Sequence, residues 1–321
     1  MSERRAIVVG HRGQDGRLLA GRLVERGDSV LGIDCGITEH VWDGVQEEPL
    51  SIIDRGAVKD AVRRFRPDEI YHLAAHHRSS QEARTTEALG DEFLAGLGVS
   101  VEGVVNFLDA MNAHAPTCRF FYASSSLIFG FHKSDERQDE HTPWTPSCEY
   151  GLMKALGMQA CRLYREEVAL FASSGILYNH ESVCRREEFL SKKIALAALR
   201  IRGGSHEKLA LGDLDAVTDW SYAPDFVDAF QRILSLDRPG DFIVASGEGH
   251  TVREFVAVAF AHLGLDWREH VTQVPELLHR TPSARIGNPQ RLMSATGWQP
   301  TLTFSEMVCR LVDETAREQG L

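Results

Sequence analysis

The sequence predicts an α/β fold: a doubly wound parallel sheet with a smaller C-terminal α/β lobe. Three observations predict it. A short apolar strand runs straight into a glycine turn and a helix at the start of the chain. Strand and helix signals then alternate through the first half. Near residue 180 the texture changes to longer helices separated by short strands.

The opening unit is Ala6-Ile-Val-Val-Gly10, an apolar run with the look of a buried parallel strand. The turn Gly10-His-Arg-Gly13-Gln-Asp-Gly16 follows, and Leu18 to Val24 reads as an amphipathic helix. This order suits a loop that cradles phosphate: glycines admit the ligand to the backbone, and the helix N-terminus faces it. Gly10, Arg12, Gly13, Gln14, Asp15 and Gly16 are therefore candidate dinucleotide contacts, and the sheet is of the Rossmann type. The spacing is G-x-x-G-x-x-G rather than G-x-G-x-x-G. The second strand, Ser29 to Asp34, ends in an acid placed to bond ribose hydroxyls and repel a 2′-phosphate. Asp34 favours NAD over NADP; Arg12 pulls the other way.

Asp54 to Phe65 is predicted helical, and Pro67 to Ala75 gives a strand and a turn of small residues, Leu73-Ala74-Ala75, that lets a cofactor lie against the backbone. Residues 78–98 are polar and read as a loop feeding a helix through about Asn112. Arg119 to Ala123 is a strand, residues 131–149 a loop, and Ser174 to Asn179 another strand. Beyond 180, helices are predicted at 187–202, 225–236, 252–263 and 304–318, with strands at 208–211 and 241–246. The expected division is 1–180 for the cofactor domain and 181–321 for the substrate lobe, with room for the chain to cross back between them. No internal repeat or low-complexity segment interrupts this order.

The catalytic signal is Tyr150-Gly-Leu-Met-Lys154, preceded by Ala123-Ser-Ser-Ser-Leu-Ile-Phe-Gly130. A Tyr and a Lys four apart share one helix face. An ammonium beside a phenol favours the phenolate, which suits proton exchange near neutral pH. Ser125 can hold the same substrate hydroxyl. This trio deprotonates an alcohol while a nicotinamide accepts the hydride. Tyr-x-x-x-Lys alone is a weak signal; the glycine loop upstream gives it weight.

Composition narrows the partners. At 321 residues, with 43% apolar and 25% charged residues, the chain can bury a large core. A net charge of −11 argues against nucleic acid. The six cysteines have neither metal-ligand nor redox spacing, so reduced thiols in a cytoplasmic protein are expected. No apolar signal region precedes the first strand, and no apolar run reads as a membrane span. His76-His77 is the only adjacent histidine pair among fourteen histidines, and no metal is predicted.

With these motifs in place, the chain resembles the extended short-chain dehydrogenases that act on nucleotide sugars, the NAD-dependent epimerase/dehydratase family. Within them it is most similar to the GDP-mannose 4,6-dehydratases. The resemblance runs from about residue 5 to about residue 300. It rests on Gly13-Gln-Asp-Gly16, Pro67-Asp-Glu-Ile-Tyr71, Leu73-Ala-Ala75, Gly175-Ile-Leu-Tyr-Asn-His-Glu-Ser182, Glu207 to Ala216, Asp219-Trp220 and Val252-Arg-Glu-Phe-Val256. It implies an NAD(P) domain, a nucleotide-sugar lobe and a homodimer or homotetramer. It also implies that His180 meets the cofactor, and that Ser126, Leu127, Asn179, Arg185, Lys193 and Arg280 meet the substrate. Read without it, Arg185, Lys193 and Arg280 are equally well surface charges, and Trp220 is as well core as pocket wall.

The departures bear on the reaction. The dehydratases carry a glutamate two positions after the catalytic hydroxyl, where it removes the proton beside the new ketone; here that residue is Leu127. Ser125 stands where they have a threonine, and Thr218 where they have an arginine able to meet phosphate. The 78–98 segment is longer than the family pattern. Tyr150, Lys154 and Ser125 suffice for C4 alcohol oxidation or ketone reduction, so an epimerase or a 4-dehydrogenase/reductase with NAD on a GDP-sugar is expected. The alternatives are a dehydratase that recruits a base from His76, His77, Glu82 or Glu181, and a catalytically idle cofactor-binding subunit.

Overall fold

A computed structural model describes residues 3–36, 43–76, 89–130, 137–277 and 284–321. The first strand, β1 (Arg5–Val9), leads through the glycine turn into α1 (Gln14–Glu25) and β2 (Ser29–Asp34). After β3 (Val45–Pro49), helix α2 (Arg55–Phe65) starts where Asp54 accepts a hydrogen bond from Ala57 N at 3.0 Å. Then come β4 (Glu69–His72), a helix built of α3 (Leu89–Leu97), a π-helical turn at Gly98–Glu102 and α4 (Gly103–His114), and β5 (Arg119–Ala123). A 3₁₀ turn at Ser126–Phe129 precedes α5 (Glu149–Glu167) and β6 (Phe171–Leu177).

These strands form one parallel sheet, completed from later in the chain. After β7 (Asn179–Glu181), α6 (Leu190–Arg202), β8 (Leu209–Leu211) and β9 (Val217–Tyr222), the chain returns with α7 (Ala223–Leu234) and β10 (Asp241–Val244). β10 pairs with β6, giving the order β10-β6-β5-β4-β1-β2-β3. Alternation along β1 sorts the two faces. Ala6 and Val8 pack with Leu19, Leu23, Phe226 and Phe230 of α1 and α7, while Ile7 and Val9 pack with Val58, Val62, Phe107 and Met158 of α2, α4 and α5.

The remaining elements are β11 (Gly249–Thr251), α8 (Val252–His262), β12 (Val271–Gln273), α9 (Gln290–Thr296) and α10 (Phe304–Glu318). The small lobe has its own core, in which α6, α8 and α10 enclose Trp220, Phe255 and Phe304. Its sheets are short: β11-β9-β7 and β12-β8. Trp220 is a core residue here, with its ring 5.3 Å from Phe255.

Four features differ from the sequence expectations. β3 is unpredicted, because Val-Gln-Glu-Glu-Pro is a polar edge strand without an apolar pattern. Helix α7 and strand β10, expected in the small lobe, belong to the large sheet. Strand β6 starts at Phe171, and Asn179 already pairs with Trp220 in the other sheet. Residues 89–98 are helical rather than loop, and 77–88 lie outside the described residues. Joined to α4, this helix is long and apolar enough by composition to cross a membrane over Gly90–His114, where the sequence reading expects no such run. Half of its most apolar window is buried, and Phe107, Leu108 and Met111 stand in the core.

Candidate active site

A cavity of about 950 Å³ opens at the carboxyl ends of β1, β2, β4, β5 and β6. Strand ends at the reversal of strand order form a crevice suited to a ligand. The glycine loop makes one wall. Gly10 has φ +81°, and a Cβ there would lie 2.8 Å from the Ala74 backbone. At Gly16 a Cβ would fall on the Gly10 carbonyl oxygen. Both positions therefore need glycine for strand, loop and helix to close up. Gly13 caps α1 without a side-chain bond. Arg12, Gln14, Asp15, Asp34, Leu73, Ala74 and Ala75 line the same wall. Arg12 N donates to Asp34 Oδ2 at 3.4 Å.

The loop is stitched to the strand it faces. Gln14 Nε2 donates to the His180 carbonyl at 3.0 Å, and Ser182 Oγ to Gln14 Oε1 at 3.0 Å. His180 Nε2 donates to Asp15 at 2.9 Å, and its ring stacks 4.3 Å from Phe226. Burial disfavours the imidazolium, but the Asp15 charge and hydrogen bond outweigh it, so the His180 pKa is raised. Burial likewise opposes the Asp15 carboxylate, and His180 outweighs that, holding its pKa down.

The opposite wall holds the expected catalytic trio. Ser125, Tyr150 and Lys154 all line the cavity, with Ser126 and Leu127 beside them. Ser125 Oγ accepts from Leu127 N at 3.2 Å, which fixes the turn. Gly151 lets α5 start against that turn, since a Cβ would fall on the Leu127 carbonyl oxygen. Lys154 is buried; Nζ donates to the Ala123 carbonyl at 2.7 Å and sits 5.6 Å from the Tyr150 ring centroid. Burial lowers the Lys154 pKa to about 7, against the pull of Asp15. Burial raises the Tyr150 phenol well above its ordinary value. Arg185 opposes this rise.

Asn179, His180 and Arg185 line the cavity as expected. Arg185 Nε lies 3.4 Å from Glu181 Oε2, and its guanidinium covers the Phe189 ring at 3.9 Å. Lys193 is directed elsewhere: Nζ donates to the Ala210 carbonyl at 3.3 Å, and the residue is not in the cavity wall. Arg280, His77 and Glu82 lie outside the described residues. Glu181 is buried against the small lobe, where Ser191 Oγ donates to it, and it does not line the cavity. His76 does line it. A side pocket shares His76 and Tyr150 and adds Glu92 and Glu149.

Several lining residues carry no sequence signal. Arg285 reaches the cavity from a segment that bridges Thr218 on β9. Tyr178, Arg186 and Phe189 also face it, as does Glu318 from the last turn of α10. The π-helical turn brings Gly98 and Val99 to the wall, at a kind of irregularity that recurs in functional sites. Asp219 gives no contact to the cavity. It accepts hydrogen bonds from Ser246 N and Oγ, Gly247 N and Gly287 N at 2.7–3.2 Å, fastening two loops behind the wall. Burial nevertheless raises its pKa to about 6.

This architecture recurs in known proteins. The family described as GDP-mannose 4,6 dehydratase matches residues 7–311. GDP-mannose 4,6 dehydratase 1 of Arabidopsis thaliana is 32% identical over 96% of this chain and 89% of the relative. GDP-mannose 4,6 dehydratase of Homo sapiens is 32% identical over 96% and 90%. The Thermus thermophilus UDP-glucose 4-epimerase in complex with NAD superposes with a TM-score of 0.82 at 25% identity, over 97% of this chain and 98% of that one. Sequence and fold together place the chain in the GDP-mannose 4,6-dehydratase family, among the NAD-dependent nucleotide-sugar epimerases and dehydratases.

Proposed function

We propose that the protein is an NAD-dependent oxidoreductase that acts on a GDP-sugar by hydride transfer at a C4-type alcohol or ketone, as an epimerase or a 4-dehydrogenase/reductase. The observation that carries this reading is the wall formed by Ser125, Leu127, Tyr150 and Lys154. It joins groups for alcohol chemistry to a leucine where the resemblance calls for the eliminating base.

The residues fit a nicotinamide dinucleotide. The Gly10–Gly16 loop is a cradle that side chains would fill, and it opens on the N-terminus of α1. Gly10, Gly13, Gln14, Asp15 and Gly16 would hold the diphosphate, Asp34 the adenosine ribose, and Leu73 to Ala75 the adjoining backbone. Lys154 and His180 would flank the nicotinamide end. When bound, the nicotinamide supplies the hydride acceptor or donor. Tyr150 takes the hydroxyl proton during oxidation and returns it during reduction. Ser125 Oγ holds the substrate oxygen for that exchange. Lys154 and Arg185 supply the positive charge that makes the buried phenolate accessible. Ser126, Leu127 and Asn179 line the sugar end, and Arg185 with Arg285 would meet the substrate diphosphate.

A second reading, a dehydratase with a relocated base, draws support from His76, Glu92 and Glu149 around Tyr150. Mass analysis of GDP-sugar products separates the two: the favoured reading gives no loss of water. We also infer a homodimer. Leu152, Leu156 and Leu163 form one stripe on α5, exposed by 38%, 41% and 54%, and a second copy would cover it. Sedimentation of Leu156→Lys against the native chain tests this.

A further inference from the structure

We propose that Glu47 is a positioning residue for cofactor choice: it holds the Arg12 guanidinium away from a 2′-phosphate and so enforces NAD over NADP. The inference rests on the dinucleotide reading of the site. It arises from an arrangement that β3 builds beside the adenosine end of the cavity.

The arrangement starts at Gly32 on β2, whose partner across the ladder is Glu47. A Cβ at Gly32 would lie 2.6 Å from the His11 ring, so only glycine leaves room for that ring. His11 is buried there, and its Nε2 donates to Glu47 Oε1 at 2.7 Å. The Glu47 side chain is itself fully buried. Arg12 crosses the end of β2 to reach the same oxygen, with Nε at 3.2 Å and Nη2 at 3.1 Å. Its backbone N meanwhile donates to Asp34 Oδ2. Arg12 is thus tied to one carboxylate by its main chain and to another by its side chain.

A buried carboxylate is costly without its cation, so the guanidinium is held at Glu47. Arg17, the neighbouring cation in this wall, is exposed and donates Nε to the Arg12 carbonyl at 2.9 Å. A 2′-phosphate would therefore meet Asp34 beside an arginine whose charge is already matched by the buried Glu47. This answers the conflict in the sequence, where Asp34 and Arg12 point to different cofactors.

The test is calorimetric titration of NAD⁺ and NADP⁺ into the full chain and into Glu47→Gln, Arg12→Met and the double variant, with thermal unfolding of each. Glu47→Gln keeps the shape and removes the charge. It should tighten NADP⁺ about tenfold relative to NAD⁺, the scale of one charged contact. Arg12→Met alone leaves the Glu47 carboxylate unmatched and should weaken NADP⁺ relative to NAD⁺, whereas the double variant, which removes both charges, should return to the native ratio. A folded Glu47→Gln protein with the native ratio overturns the proposal. If Glu47→Gln does not fold, the double variant decides: NADP⁺ binding that stays weakened relative to NAD⁺ when both charges are gone would mean that Arg12 already serves a 2′-phosphate and would overturn the proposal. If the native chain binds neither dinucleotide, the functional reading itself fails, whatever Glu47 does.

Discussion

The glycine-loop end of the cavity and the end facing the small lobe differ in how many chain segments each requires. The first is built from neighbours: β1, its turn, α1 and the tip of β2 supply Gly10 to Asp34 within one stretch. The second gathers Ser125, Tyr150, Asn179, Arg185, Arg285 and Glu318 from segments far apart in sequence. A contiguous unit can be kept while the dispersed end is retuned, one substitution at a time. Cofactor chemistry would then be held constant while the fate of the sugar changes.

The largest effect should come at the dispersed end. Tyr150→Phe should cut turnover by about 10²–10⁴-fold, the usual contribution of a general acid–base group, and leave the NAD⁺ dissociation constant nearly unchanged. Retained activity would break the comparison, because the chemistry would not reside there. Gly10→Ala is the matching test of the contiguous end. It forces a side chain to φ +81° and into the Ala74 backbone. The strain alone is worth about 1–2 kcal/mol, so the melting temperature should fall along with dinucleotide affinity. Native-like affinity would mean that the loop does not hold the ligand.

The junction between the two ends gives a subtler test. Asp15→Asn removes the charge that raises the His180 pKa, leaving burial to depress it. Imidazole titration by NMR should show His180 above 6.5 in the native chain and below 6.5 in the variant. The linkage has a definite sign. His180 stabilises the fold below its ordinary value of 6.5, and this is lost as pH rises through its raised pKa. Asp15 stabilises it above 3.8, and this is lost as pH falls through its lowered pKa. The Asp15→Asn penalty should therefore be greatest between those two ordinary values and shrink on either side.

The same division explains how much of the molecule is legible in the sequence. Strands β1, β2 and β5 and helix α10 follow from apolar runs and periodicity, and the glycine loop and Tyr150–Lys154 pair from spacing within single elements. Strand β3 is not legible, because its inward residue is a glutamate whose partners lie on another strand's turn. Arg285 gives no signal, since only its bridge to Thr218 brings it to the cavity. The sequence carries no sign that Lys193 Nζ donates to a β8 carbonyl, since that bond joins two elements that meet only in the fold. The Tyr150–Lys154 spacing finds the pair, but not Arg185, whose charge also opposes the effect of burial on the phenol.

The central claim is that this site moves a hydride without expelling water, and product mass tests it most directly. The native chain, supplied with NAD⁺ and GDP-mannose or a longer-chain GDP-sugar, should give a product of unchanged mass or one lighter by two hydrogens. That product should disappear with Tyr150→Phe. A product lighter by one water, formed by the native chain and lost on changing His76, Glu92 or Glu149, would contradict the account and establish a dehydratase with a relocated base.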